Sequence, residues 1–286
     1  MLTREKLLEL LEQHGLSHRA DEILSQCKPS IHLSLQYGMD EADIPIGASK
    51  MGGSPDVPPD FVWPQWNGIP LTFIAQFRLS EVKLYDVEDL LPEKGMLYFF
   101  FEQYSFMDTY YESQLFGSQY KVVYVEDESF LLKRSKHPHA QYRNWKLKPY
   151  RSCRITSFEH ELIPHPVETA IPWPPEAIDS NQANQQMRFG DAVYENLAKP
   201  MHRLLGYETN VQGVWGTRET ILEQWESNSR DDWLLLLQVD SDYSHHFLGS
   251  RVLFNWGDAG CIYFWIRKDE LKSRNFNHVW MDLETH

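Results

Sequence analysis

Two glutamines stand where apolar strands end. The stretch "PLTFIAQFRLS" (70 to 80) places Gln76 directly after Phe73, Ile74 and Ala75, and "DWLLLLQVDSD" (232 to 242) places Gln238 directly after four leucines. A primary amide carries two N–H donors and an acceptor oxygen, so it suits either a polar ligand or the backbone of a neighbouring loop. Buried amides are usually satisfied by the fold itself, which favours a clamp on the adjacent loop over a ligand site. Arg78 and Asp240 each lie two residues beyond their glutamine and join the two amides as candidate ligand-binding residues. A salt bridge between Arg78 and Asp240 is a second use for that pair.

Other clusters could hold metal or phosphate. Asp240, Asp242 and His245, with His246, gather oxygen and imidazole donors, but no further carboxylate follows at the spacing of a calcium loop. His137 and His139 in "HPH", with His160 or His165, are weak candidates for a transition metal; an exposed polar loop is the simpler expectation. "SKMGG" contains neither GxGxxG nor GxxxxGK[ST], and its Lys50 precedes the glycines, so a tight turn is expected there. Cys27, Cys153 and Cys261 are isolated, form no CxxC pair, and read as buried thiols in a reducing compartment. No GxSxG elbow and no cofactor motif is present. The sequence leans away from an enzyme.

Composition narrows the partners. Lys and Arg number 27 against 41 Asp and Glu, a formal charge of −14. That field repels phosphate backbones and anionic membrane surfaces and favours, if anything, a basic protein partner. No apolar run has the length of a membrane span, and the charged start "MLTREKLLELLEQHG" lacks the apolar core of a secretory signal, so a cytoplasmic chain is expected. Nothing in the pattern fixes an oligomeric state.

The elements that would position these residues follow from periodicity. Leu7, Leu8 and Leu11 share a helix face, Thr3 is the expected N-cap and Gly15 the stop; a second helix capped by Ser17 completes a helical hairpin over 1–28. Ile31, Leu33 and Leu35 alternate with polar residues, predicting a half-exposed strand. Further strands are expected at "MLYFFFE", "YKVVYVE", "RITSFEHELI", "CIYFWI" and "HVWMDLE", and helices at "DAVYENLAKP", "TRETILEQWES" and "RKDELKSRN". Trp63 and Trp66 should fold the Gly- and Pro-rich loop before Gln76 back over apolar surface.

Set in register on their glutamines, two segments correspond. Gly53 precedes Gln76 as Gly206 precedes Gln238, and "GMLYFFFE" from Gly95 follows as "GCIYFWIR" from Gly260 follows. The common order predicts an internal duplication, with repeats at about 49–102 and 202–267. Six segments in order resemble the YwqG-like family, a bacterial domain of unknown function: "SKMGGSPDVPPDFVWP", "PLTFIAQFRLSE", "LLPEKGMLYFFFE", "HRLLGYETNVQG", "WLLLLQVDSD" and "WGDAGCIYFWIRKDEL". The resemblance covers most of the chain after the N-terminal helices. It implies one α+β unit with a duplication and no reaction. Residues 127–150 carry none of it, leaving room there for a specialised role. The expectation is therefore a single domain over 1–286, α+β, mainly antiparallel sheet built from two duplicated halves behind a helical hairpin. Its expected role is non-catalytic binding, with a small-molecule site or enzyme in a cleft between the repeats as the alternative.

Overall fold

The glutamine strands sit in one ten-stranded antiparallel sheet. The computed structural model describes residues 1–102, 119–127, 131–138, 150–165, 180–209, 211, 232–242 and 253–285. The sheet contains β1 (Lys28–Gln36), β2 (Lys50–Met51), β6 (Thr72–Arg78), β7 (Met96–Phe101), β8 (Tyr120–Val125), β10 (Cys153–Ile163), β11 (Arg203–Leu204), β12 (Trp233–Asp240), β13 (Cys261–Arg267) and β14 (Trp280–Glu284). Their spatial order is β14-β13-β12-β11-β1-β10-β2-β6-β7-β8. Two small ribbons lie outside it: β3 (Asp56–Val57) with β9 (Lys133–Arg134), and β4 (Gln65–Trp66) with β5 (Ile69–Pro70).

The sheet curls until its edges approach, as a nearly closed barrel. Tyr124 of β8 packs at 5.3 Å on Phe276, just before β14, and Lys121 donates to Asn277 at 2.8 Å. Across the interior Phe99 of β7 meets Phe264 of β13 at 5.0 Å. Ile31, Leu33, Ala75, Phe77, Leu97, Val239, Ile262 and Met281 belong to the same inner cluster. Alternation explains this: every second residue of each strand faces inward, and the rings fill the space.

The outer face is covered by helices and loops. α1 (Arg4–Gln13) and α4 (Ser180–Asn196) pack Leu7, Leu10 and Leu11 against Phe189 and Val193; α2 (Ala20–Ser25) adds Ile23. Thr3 caps α1, accepting from Lys6 N at 3.2 Å, and Gly15 follows the helix at φ +73°. Ser17 is not the cap of α2: it opens a 3-10 turn (Ser17–Arg19), and Arg19 holds the cap position. Two further short helices are α3 (Leu79–Val82), which follows the glutamine strand β6, and α5 (Lys268–Lys272), which follows the aromatic strand β13. β1 departs from its expected half-exposure. Ser30 and His32 are buried with Ile31 and Leu33, because β1 is central, between β10 and β11, with its outer face covered. The helix expected at "TRETILEQWES" lies outside the described residues.

Candidate functional site

Residues paired across an antiparallel ladder share a face. On the outer face this makes two rows that cross the strands: Arg154, Lys50, Gln76 and Tyr98 in one, His32, Arg203, Gln238 and Tyr263 in the other. Each glutamine strand carries a bulge two residues before its glutamine, at Ile74 and at Leu236, so the amide turns outward from an otherwise apolar run.

Both amides are fully buried and hold their own loops. Gln76 Oε1 accepts from Asp56 N at 2.7 Å and its Nε2 donates to Ala48 O at 2.8 Å. Gln238 Oε1 accepts from Thr209 N at 2.9 Å and its Nε2 donates to Met201 O at 3.1 Å. The tyrosines complete the same pattern, Tyr98 donating to Asp56 O at 2.7 Å and Tyr263 to Thr209 O at 2.8 Å. Between the anchor points, Gly53 (φ +75°) and Gly206 (φ +78°) turn the chain where a Cβ would come within 2.7 Å of the Ser152 and Ser30 β-carbons. Only glycine fits both the left-handed backbone and the close approach.

The two loops differ in charge. In the first, Asp56 is fully buried and accepts from Arg134 Nε (2.8 Å), Gly47 N (2.9 Å) and Gln76 Nε2 (3.1 Å), with Lys50 Nζ at 3.6 Å. Lys50 also donates to Ser54 O and pairs with Glu41 at 3.4 Å. Burial lowers the Lys50 pKa, against the pull of Asp56. In the second loop Thr209 replaces Asp56. Arg203, fully buried, stands 3.7 Å from Glu161 Oε2, and among the described residues its guanidinium makes no hydrogen bond. Glu161 Oε1 accepts from Leu2 N at 3.2 Å and Ala198 N at 2.9 Å, tying the N-terminus and the exit of α4 to the sheet centre. Sequence reasoning missed these charged belts. Their signal was present, since Lys50 and Arg203 each lie three residues before the matched glycine.

The remaining candidates disperse. Arg78 Nε donates to Gly47 O at 3.0 Å and Asp240 Oδ2 accepts from Met201 N at 3.0 Å, so Arg78 supports the Gly53 loop and Asp240 the Gly206 loop. Burial raises the Asp240 carboxyl pKa. Asp242 lies just past the end of β12: it is buried, accepts from Tyr37 Oη, and stands 3.7 Å from His202 Nε2. His137 is also buried rather than exposed, with Nε2 3.2 Å from Pro70 O and its ring on Trp63. His160 packs on Tyr85 and His165 on Tyr207. His139, His245 and His246 lie outside the described residues. Among the described residues no three His, Cys, Asp or Glu side chains form a metal-ligand group.

His32 gives the belt a pH signature. Burial pulls its pKa from 6.5 to about 4; Glu161 opposes this and Arg203 and His202 add to it. The unfolded chain therefore binds the extra proton between those values, and stability rises with pH through that window. The contribution is complete above about pH 6.5, an ordinary histidine value, and falls as pH drops toward 4, by up to about 3 kcal/mol. Urea midpoints of wild type and His32→Gln should converge on acidification over this range. Parallel curves would refute the assignment.

The described surface also has a concave region. A cleft of about 430 Å³ opens between the 83–93 segment, which follows α3, and α5 with Leu234 of β12. Neither the Gly53 loop nor the Gly206 loop lines it.

A curled antiparallel sheet whose buried polar groups lock its own loops defines an α+β protein. The chain belongs to the family described as a domain of unknown function, DUF1963, matched over residues 49–284. That span includes the 127–150 stretch, where Arg134 latches Asp56 and donates to Ile44 O at 2.9 Å. A comparison with curated proteins finds no match. No helix among the described residues is long and apolar enough to cross a membrane.

Proposed function

We propose that the chain is a non-catalytic binding protein, one 1–286 unit made of two duplicated halves behind an N-terminal helical hairpin. The observation that carries the binding reading is the use of its most reactive-looking groups. Gln76, Gln238, Lys50 and Asp56 are fully buried and engaged by their own loops. Burial raises the Cys153 thiol to about 12 and the Cys261 thiol well above its usual range, so neither is a nucleophile at neutral pH. The palindromic strand order and the matched bulges, amides, tyrosines and glycines support the duplication, and with it the YwqG-like resemblance. The buried free thiols Cys153 and Cys261 support a reducing, cytoplasmic setting.

The net charge of −14 supports a basic protein as one form of partner. The cleft favours a small molecule instead, because among the described residues Tyr194 is the one exposed Phe, Tyr or Trp, and interface hot spots are rich in Trp and Tyr. Incubation with a cytoplasmic metabolite extract, followed by ultrafiltration and mass spectrometry of both fractions, tests the reading. Compounds retained with the protein and released unchanged on denaturation are expected. Time-dependent consumption of a compound with appearance of a new mass would establish an enzyme.

A further inference from the structure

The cleft between the 83–93 segment and α5 has a sorted lining. Its floor is apolar, with Leu91, Leu234 and Leu271 buried and Leu90 half-buried. Its rim carries Lys83, Lys268, Lys272 and Arg274 against Asp89 and Glu93, a net +2 on a chain whose total is −14. Two of the cations are already engaged. Lys83 pairs with Asp86 at 3.0 Å and with Asp89, and donates to Leu91 O at 2.8 Å. Arg274 pairs with Glu126. Lys268 and Lys272 make no hydrogen bond or ion pair among the described residues, and both are exposed. They lie one helical turn apart, with Leu271 between them on the same face, so two free ammonium groups flank one apolar contact.

We propose that this cleft binds a small amphipathic anion, a carboxylate or phosphate on an apolar body, with the head between Lys268 and Lys272 and the body over Leu90, Leu91, Leu234 and Leu271. A volume of about 430 Å³ lies in the range of small-molecule sites. Removing an apolar body from water supplies the non-directional part of the affinity. The two lysines select the sign of the head, and the acidic remainder of the surface disfavours anions elsewhere. The ligand class rests on the binding reading above.

Calorimetric titration with decanoate, decyl phosphate, decyltrimethylammonium and acetate, all below micellar concentrations, tests it on wild type and on Lys268→Gln/Lys272→Gln. At least one of the two amphipathic anions should bind at one site, and which of them binds more tightly identifies the head. Acetate and the cation should bind about tenfold more weakly or not at all. The double variant should lose about tenfold in affinity for the anion, since two exposed charge contacts are removed, and added salt should weaken wild type. An unchanged urea midpoint of the variant, expected because neither lysine is bonded, shows that the fold is kept. Binding of neither anion, or binding indifferent to head charge and to both lysines, overturns the proposal. Retention of a neutral or cationic metabolite in the extract experiment would then leave the binding reading standing and remove only the ligand class.

Discussion

Replacing Asp56 by Ala is expected to lower the unfolding free energy by about 3–5 kcal/mol, the scale for breaking a buried ion pair. Asp56 is fully buried, and its carboxylate faces Arg134, Lys50, Gln76 Nε2 and Gly47 N. Truncation leaves Lys50, itself fully buried, with the part-exposed Glu41 at 3.4 Å and the Ser54 carbonyl. It also releases Arg134, whose other bonds hold the Glu41 and Ile44 carbonyls. Charge and cavity can be separated. If the uncompensated cation dominates, Lys50→Met/Asp56→Ala should lose less than the sum of the single variants by about 1 kcal/mol or more. Urea unfolding of the three variants measures this. A loss below about 1 kcal/mol for Asp56→Ala alone would show that water reaches the site and that the belt contributes little to stability.

The second large effect is at the amides. Gln76→Leu keeps the volume but strands Asp56 N and Ala48 O and removes one donor from the Asp56 carboxylate; Gln238→Leu strands Thr209 N and Met201 O. Each orphaned buried group costs roughly 1–3 kcal/mol. Losses of about 3 kcal/mol for Gln76→Leu and about 2 for Gln238→Leu are expected, in that order, because the first amide makes the additional bond to a charge. A ligand-binding amide behaves in the opposite way, since residues of a binding site often oppose stability. Midpoints unchanged or raised in both variants would make the space around Gln76 and Gln238 the first place to seek a ligand.

Much of this architecture was legible in the residues. The alternation of "KPSIHLSLQ", the apolar runs before each glutamine and the ring-rich "MLYFFFE" and "CIYFWI" all became strands, because a period of two leaves few other ways to bury one face. The glycine, glutamine and tyrosine positions were legible for a local reason. A left-handed turn needs Gly53 or Gly206, and the amide and ring that hold such a turn must come from the two strands beside it. Tertiary structure decided which distant strands meet. β1 pairs with β11 and β10 with β2, so β1, which precedes the Gly53 loop, lies against the strand of the Gly206 loop, and β10, which precedes the Gly206 loop, against the strand of the Gly53 loop. No periodicity encodes that pairing, since an apolar face is satisfied by any matching strand. The spacing marked Lys50 and Arg203 as equivalent, but their burial, and that of Glu161, was not legible for a related reason. A charge reads as surface until its partner is placed, and Asp56 with Arg134, or Glu161 with Arg203, are neighbours only after the sheet has closed around them. The cleft belongs to the same category: residues 83–93 and α5 are far apart in sequence, and only the curl of the sheet brings Leu91 and Leu271 to one floor beneath Lys268 and Lys272.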